Sequence, residues 1–133
     1  MKNFKITLPA KKDSLAKVIS LIEEFAEKYS IPPKTLFNLQ LIAEEIIVNI
    51  CSYAYPDKEK GEFSIELSIL NGDILIIFKD SGIEFDPTTI EADTKQSVHN
   101  ATIGGLGIHI VKELAKKIEY IREGNENILK ILI

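Results

Sequence analysis

The chain is predicted to be α+β, a two-layer sandwich in which helices cover one face of a mixed β-sheet. Three features carry this prediction. Alternating runs at residues 3–8 and 62–79 have the period of strands, apolar side chains at residues 13–29 and 35–53 recur at helical spacing, and an Asn71-Gly72 pair joins two of the strands. The order is strand, two helices, two strands, loop, helix, two strands.

Each element has its own signal. NFKITL, residues 3–8, alternates polar and apolar until Pro9 ends the run. Leu15, Val18, Ile19, Ile22, Phe25 and Ala26 then form a helical stripe from Asp13 to Tyr29, with Asp13 or Ser14 placed to cap the first turn. Pro32 and Pro33 open a second helix, from about Thr35 to Tyr53, because proline is tolerated only in the first turn. That helix is apolar on most sides, which predicts a central element packed on more than one flank. Phe63, Ile65, Leu67 and Ile69 alternate with Glu62, Ser64, Glu66 and Ser68. After Asn71-Gly72, which accepts the positive φ angles of a tight hairpin turn, a strand runs from Asp73 to Lys79. Residues 86–103 are polar and too long for an ordinary connector, so they read as a mobile loop. A third helix follows Gly107, and the strands IEYIRE and ILKILI flank a turn from Gly124 to Asn127.

A length of 133 residues, 45% of them hydrophobic and 27% charged, predicts a single packed domain over residues 1–133. Sixteen Lys and Arg against twenty Asp and Glu leave no broad positive field, which argues against nucleic acid or an anionic membrane as partner. The lone Cys51 cannot form an internal disulfide and reads as a small buried hydrophobe. No apolar run looks like a signal peptide or approaches the roughly 18 residues of a membrane span. The expected location is cytoplasmic.

Three segments carry candidate chemistry. Glu45 and Asn49 are one helical turn apart and share a face with Asn38 and Ser52, amid Leu41, Ile42, Ile46, Ile47, Val48 and Ile50. A carboxylate and an amide in such company are costly to bury unless a metal, a ligand or each other satisfies them, although the stripe also reads as the solvated face of the helix. DSGIEFDP, Asp80 to Pro87, follows an apolar strand. Asp80 could accept a hydrogen bond from a purine amine while Gly82 admits a flat ring, or the segment could be an ordinary Asp-Ser-Gly turn. In IGGLGIHIV, Ile103 to Val111, glycines lead into a helix, so backbone N–H groups and the helix N-terminus can meet phosphate. GGLG does not follow a strand and no GK[ST] element is present, so neither a dinucleotide fingerprint nor a P-loop fits.

Taken in order, EEIIVN, DSGIEFDP and IGGLGIHIVKELAKKIEYIREG resemble the N, G1 and G2 boxes of the Bergerat ATPases, most closely the anti-sigma factor serine/threonine kinases. The resemblance runs from about Leu39 to the C-terminus. It implies ATP and Mg²⁺ as cofactors. Asn49 would hold the metal against the triphosphate, and Glu45 would activate the attacking hydroxyl. Asp80 would bind the adenine amine, with Gly82 beneath the ring and Phe85 in the same block. Gly104, Gly105 and Gly107, with the amides of Leu106 and Ile108, would take the phosphates, and residues from Thr88 to Thr102 would be a lid.

The implied substrate is a small anti-sigma factor antagonist, with a sigma factor as a further partner and a homodimer as the assembly of related kinases. Some relatives carry an arginine just before the G2 glycines; here the stretch is HNATI, and Lys95 is the only cation of the lid. Tyr53, at a site where certain relatives carry histidine, is expected to stack in the core. His99 and His109 receive no role. Two alternatives to a kinase stay open: a non-catalytic ATP-binding module that sequesters a partner, and a piece of a larger histidine kinase or gyrase-like machine.

Overall fold

Five strands, of which the first two alternate buried apolar with more exposed residues, form one sheet in the computed structural model, which describes residues 4–55, 61–89 and 105–133. The strands are β1 (Phe4–Pro9), β2 (Glu62–Leu70), β3 (Asp73–Asp80), β4 (Lys117–Glu123) and β5 (Glu126–Leu132), in the order β1-β2-β3-β5-β4. The helices are α1 (Ser14–Lys28), α2 (Pro33–Asn49) and α3 (Gly105–Leu114); a π-helical turn, Ile50–Ala54, continues α2. The α+β class is as predicted.

The sheet is antiparallel at every ladder, however, and not mixed. β4 does run in the same direction as β3, as a crossover through α3 requires. β5 folds back from β4 and inserts between them, so the two like-directed strands never pair. The β2–β3 hairpin closes as expected, with Asn71 at φ 51° and Gly72 at φ 86° between the paired Leu70 and Asp73.

Several boundaries differ from the sequence reading. α3 begins at Gly105, so Gly107 lies inside the helix rather than ahead of it. Neither Asp13 nor Ser14 caps α1 through its side chain; Ser14 Oγ instead donates to Pro9 O at 2.6 Å and ties the helix to β1. Asn127 belongs to β5, not to the preceding turn. The continuous helical run Pro33–Ala54, 22 residues, is long and apolar enough by composition to cross a membrane, contrary to expectation. Its apolarity has another use in this fold: Leu39, Ile42, Ala43, Ile46 and Ile47 are buried in the core. They pack with α1 on one flank, α3 on the other and the inward side chains Phe63, Ile65, Ile76 and Phe78 of the sheet. α2 is thus the central helix, and its end is carried to the mouth of a recess between the helices and β3/β5.

Candidate nucleotide site

Helix periodicity brings Glu45 and Asn49 to the same side of α2, and the packing of α2 fixes what surrounds them. Asn49, the last residue of the α-helix, is 3% exposed, and among the described residues neither Oδ1 nor Nδ2 has a hydrogen-bond partner. A buried carboxamide left in that state costs about 1–3 kcal/mol. The solvated-face reading of this stripe therefore fails at Asn49, although Ser52 further along is exposed. Glu45 is half-buried, and its carboxylate lies so close to Gly107 that a Cβ there would overlap Oε2 and Cδ. Loss of hydration raises the Glu45 pKa, and the neighbouring Glu44 charge raises it further.

The turn after β3 is anchored to the end of the α2 run. Ile83 N donates to Ala54 O at 2.9 Å, and a Cβ on Gly82 would overlap that same carbonyl. Glycine is needed here for close backbone approach. Tyr55 completes the junction: its hydroxyl donates to Glu62 O at 2.6 Å and accepts from Ser81 N at 2.9 Å. Asp80, the last residue of β3, is 8% exposed and accepts on Oδ1 from Gly82 N and from Asn127 Nδ2, each at 2.9 Å. Burial pushes its pKa up, opposed by those two donors and by the Arg122 guanidinium.

Asn127 is a residue of the candidate site that the sequence did not reveal. It is 6% exposed and pairs in register with Asp80 across β3 and β5. Its Nδ2 also donates to Ile83 O at 2.7 Å, while its Oδ1 accepts from Tyr120 Oη, from Arg122 Nη1 at 3.1 Å and from Phe85 N at 3.3 Å. Arg122 Nη1 donates to Gly82 O as well, at 2.9 Å. A polar residue just ahead of the apolar run ILKILI was the available signal; its meaning depended on a non-local strand pairing.

These groups border an open recess lined by Ile46, Asn49, Ile50, Ala54, Phe78, Asp80, Phe85, Pro87, Tyr120, Asn127 and Leu129. Apolar walls with polar groups at a few fixed points suit a flat heteroaromatic ring with a hydrogen-bonding edge. Tyr53 does not stack in the core as expected; it is 38% exposed and its ring leans on Phe85 at 5.7 Å between centroids, at the rim. Cys51 is half-buried against the core.

The structure thus brings Asn49, Asp80 and Phe85 into one recess, sets Gly82 beside it through its bond to Asp80, and places Glu45 against Gly107. Ile108 is fully buried and holds the first turn of α3 to the core, and Gly105 and Leu106 lie in that same turn. Gly104, and the lid from residue 90 onward with Lys95 and His99, lie outside the described residues; Thr88 and Thr89 sit in a short 3₁₀ turn, Pro87–Thr89. His109 is exposed and faces Glu113 at 3.1 Å.

Comparison with known proteins gives the same picture. The serine-protein kinase RsbW of Listeria monocytogenes is 26% identical over 125 residues, covering 90% of this chain and 80% of that protein. In the solved SiaB-SiaC complex from Pseudomonas aeruginosa, one chain superposes with a TM-score of 0.73 at 13% identity, over 97% of this chain and 88% of its own. The structure of the RsbU and RsbW domains of Rv1364c from Mycobacterium tuberculosis gives a TM-score of 0.70 at 13% identity. That match covers 99% of this chain, which spans only 32% of the Mycobacterium chain. At such identities the structural likeness concerns the fold. The histidine kinase-like ATPase domain matches residues 8–133, and with that span, the antiparallel sheet under three helices and the recess at the end of α2, the chain belongs to the histidine kinase-like ATPase domain family.

Proposed function

We propose that this chain is an ATP-dependent protein serine/threonine kinase whose substrate is a small partner protein of the anti-sigma factor antagonist class. The observation that carries the reading is the buried carboxamide of Asn49, without a hydrogen-bond partner among the described residues, one helical turn from Glu45 and in the same recess as Asp80. A hydrogen-bonding deficit of that size is expected where a ligand satisfies the group. The similar RsbW is named a serine-protein kinase, and the similar SiaB fold was solved in complex with a protein, SiaC.

In this reading Asp80 accepts the adenine amine, the walls of the recess hold the ring, and the first turn of α3 faces the phosphates. Asn49 Oδ1, a hard oxygen donor without a hydrogen-bond partner among the described residues, fits Mg²⁺, which would add positive charge against the triphosphate. Glu45 takes the proton from a serine hydroxyl presented by the partner; its raised pKa makes it a better proton acceptor than an exposed glutamate. The protein otherwise positions and stabilises charge, which is what phosphoryl transfer demands. Residues 1–133 act as one domain in the cytoplasm, with a sigma factor as a second partner and a homodimer as the working assembly.

Single-turnover assays with labelled ATP and candidate acceptor proteins test the reading. Label on a serine or threonine of the acceptor is the expected result. Tight ATP binding with no transfer to any acceptor would instead indicate a binding module, a result that the absence of arginine from HNATI would help explain.

A further inference from the structure

Asp80 is not oriented by its own loop alone. Among the described residues the donors to Asp80 both meet Oδ1, one from Gly82 N and one from Asn127 Nδ2, so Oδ2 is the oxygen they leave to meet a ligand. Asn127 is a side chain with two faces, a donor NH₂ and an acceptor oxygen, which a half-turn about its last torsion would exchange. In this fold the exchange is blocked. Three donors converge on Oδ1 of Asn127: the Tyr120 hydroxyl, Arg122 Nη1 and Phe85 N. Turning the amide over would set its NH₂ against the two N–H donors, Arg122 Nη1 and Phe85 N, and its oxygen against Asp80 and the Ile83 carbonyl.

We infer that Arg122 and Asn127 form a positioning relay that sets the base specificity of the nucleotide site, with Arg122 locking the Asn127 amide so that it donates to Asp80 and keeps that carboxylate an acceptor. Arg122 acts at two points, since the same Nη1 also donates to Gly82 O, at 2.9 Å. The loop residue whose N–H holds Asp80 and the strand residue whose amide holds Asp80 are thereby tied to one guanidinium.

The chemical consequence concerns the 6-position of a purine. A carboxylate accepts from a 6-amino group and repels a 6-oxo group; a neutral carboxylic acid can donate to the 6-oxo group instead. Asp80 is buried and short of hydration, so its ionised form depends on the donors that face it. Without the Asn127 NH₂, or with the amide turned, the acid form gains ground. Inosine triphosphate, which differs from ATP at that position by oxo for amino, then becomes a competitive ligand.

The inference rests on the nucleotide-binding reading proposed above, and the experiment separates the two. ATP and inosine triphosphate are titrated calorimetrically into the parent chain, Arg122→Met and Asn127→Leu, with thermal melts of each. The parent is expected to prefer ATP. In Asn127→Leu the ATP preference is expected to fall at least about tenfold, as the loss of a bond to a charged group implies, through weaker ATP binding and tighter inosine triphosphate binding together. Arg122→Met, at a half-exposed site, shifts the preference in the same direction by a smaller factor, and its thermal melt is read beside it. A merely structural role would weaken both nucleotides alike and leave their ratio unchanged. Folded variants that keep the parent's ratio overturn the relay while leaving the nucleotide site standing. A parent that binds neither nucleotide overturns the site itself and the relay with it. Should Asn127→Leu not fold, the ratio in Arg122→Met decides.

Discussion

The carboxylate of Glu45 occupies the space that a side chain at position 107 would need: a Cβ on Gly107 would overlap Glu45 Oε2. α2 and α3 therefore meet through a carboxylate and a bare backbone, and the glycine is required for what stands opposite it. Gly107→Ala is expected to push the carboxylate aside and to slow phosphoryl transfer by at least about 10²-fold, the lower range for general-base catalysis. Stability should move little, because alanine in a helix gains up to about 1 kcal/mol over glycine, which offsets the crowding. Kinase assays beside thermal melts check this. An alanine variant that transfers phosphate as fast as the parent would detach the Glu45 position from catalysis.

Asn49 offers a test in which stability and function move in opposite directions. Its amide is buried and without a partner among the described residues, so replacing it by an apolar side chain removes a penalty of about 1–3 kcal/mol. Asn49→Leu should raise the denaturation midpoint of the ligand-free protein and abolish the dependence of ATP binding on Mg²⁺. A fall in stability would show that Asn49 is satisfied in solution and carries no strain on behalf of a ligand.

For Asp80 the pH dependence has a definite sign. Burial raises its folded pKa, so between the ordinary carboxylate value and that raised value the folded state holds more protons than the unfolded state, and stability falls as pH rises. Asp80→Asn removes this slope. The orientation of the new amide follows from the donors already present: Gly82 N and Asn127 Nδ2 keep its oxygen on their side, and its NH₂ takes the place of Oδ2. A donor then faces the adenine amine, and ATP affinity should drop by about 1.5–3 kcal/mol with the fold intact. Calorimetry showing undiminished affinity would remove Asp80 from the site.

The legible parts of this protein were those written in local order. Strand alternation, the Asn71-Gly72 turn and the helical stripes each lie within one segment, and they appear in the structure within a few residues of their predicted positions. Glu45 and Asn49 were legible for the same reason, being one turn apart on a single helix. Asn127 was not, because its partners Asp80 and Ile83 come from the other side of a strand order that places β5 between β3 and β4. The same insertion turned the expected mixed sheet into an antiparallel one. Tyr53 was misplaced as well: an aromatic ring at the end of an apolar helix was expected to stack in the core, but it lies in the π-helical turn Ile50–Ala54 and leans on Phe85.

Binding and chemistry should come apart at Glu45 and stay together at Asn49. Both side chains are on α2, but a carboxylate can take a proton and an amide cannot. Glu45→Gln keeps the size and packing against Gly107 while removing the base. The variant is expected to bind Mg-ATP nearly as well as the parent, because the amide keeps the size of the carboxylate and its capacity to hydrogen-bond. Its transfer to a partner's serine should fall by about 10²- to 10⁴-fold. Asn49→Ala, in contrast, should lose nucleotide affinity and transfer together, since it deletes the buried oxygen donor. Equilibrium titration paired with single-turnover kinetics on each variant measures both quantities. If Glu45→Gln phosphorylates the partner at the parent's rate, Glu45 is not the base; its raised pKa would then reflect only burial beside Glu44 and the bare backbone of Gly107.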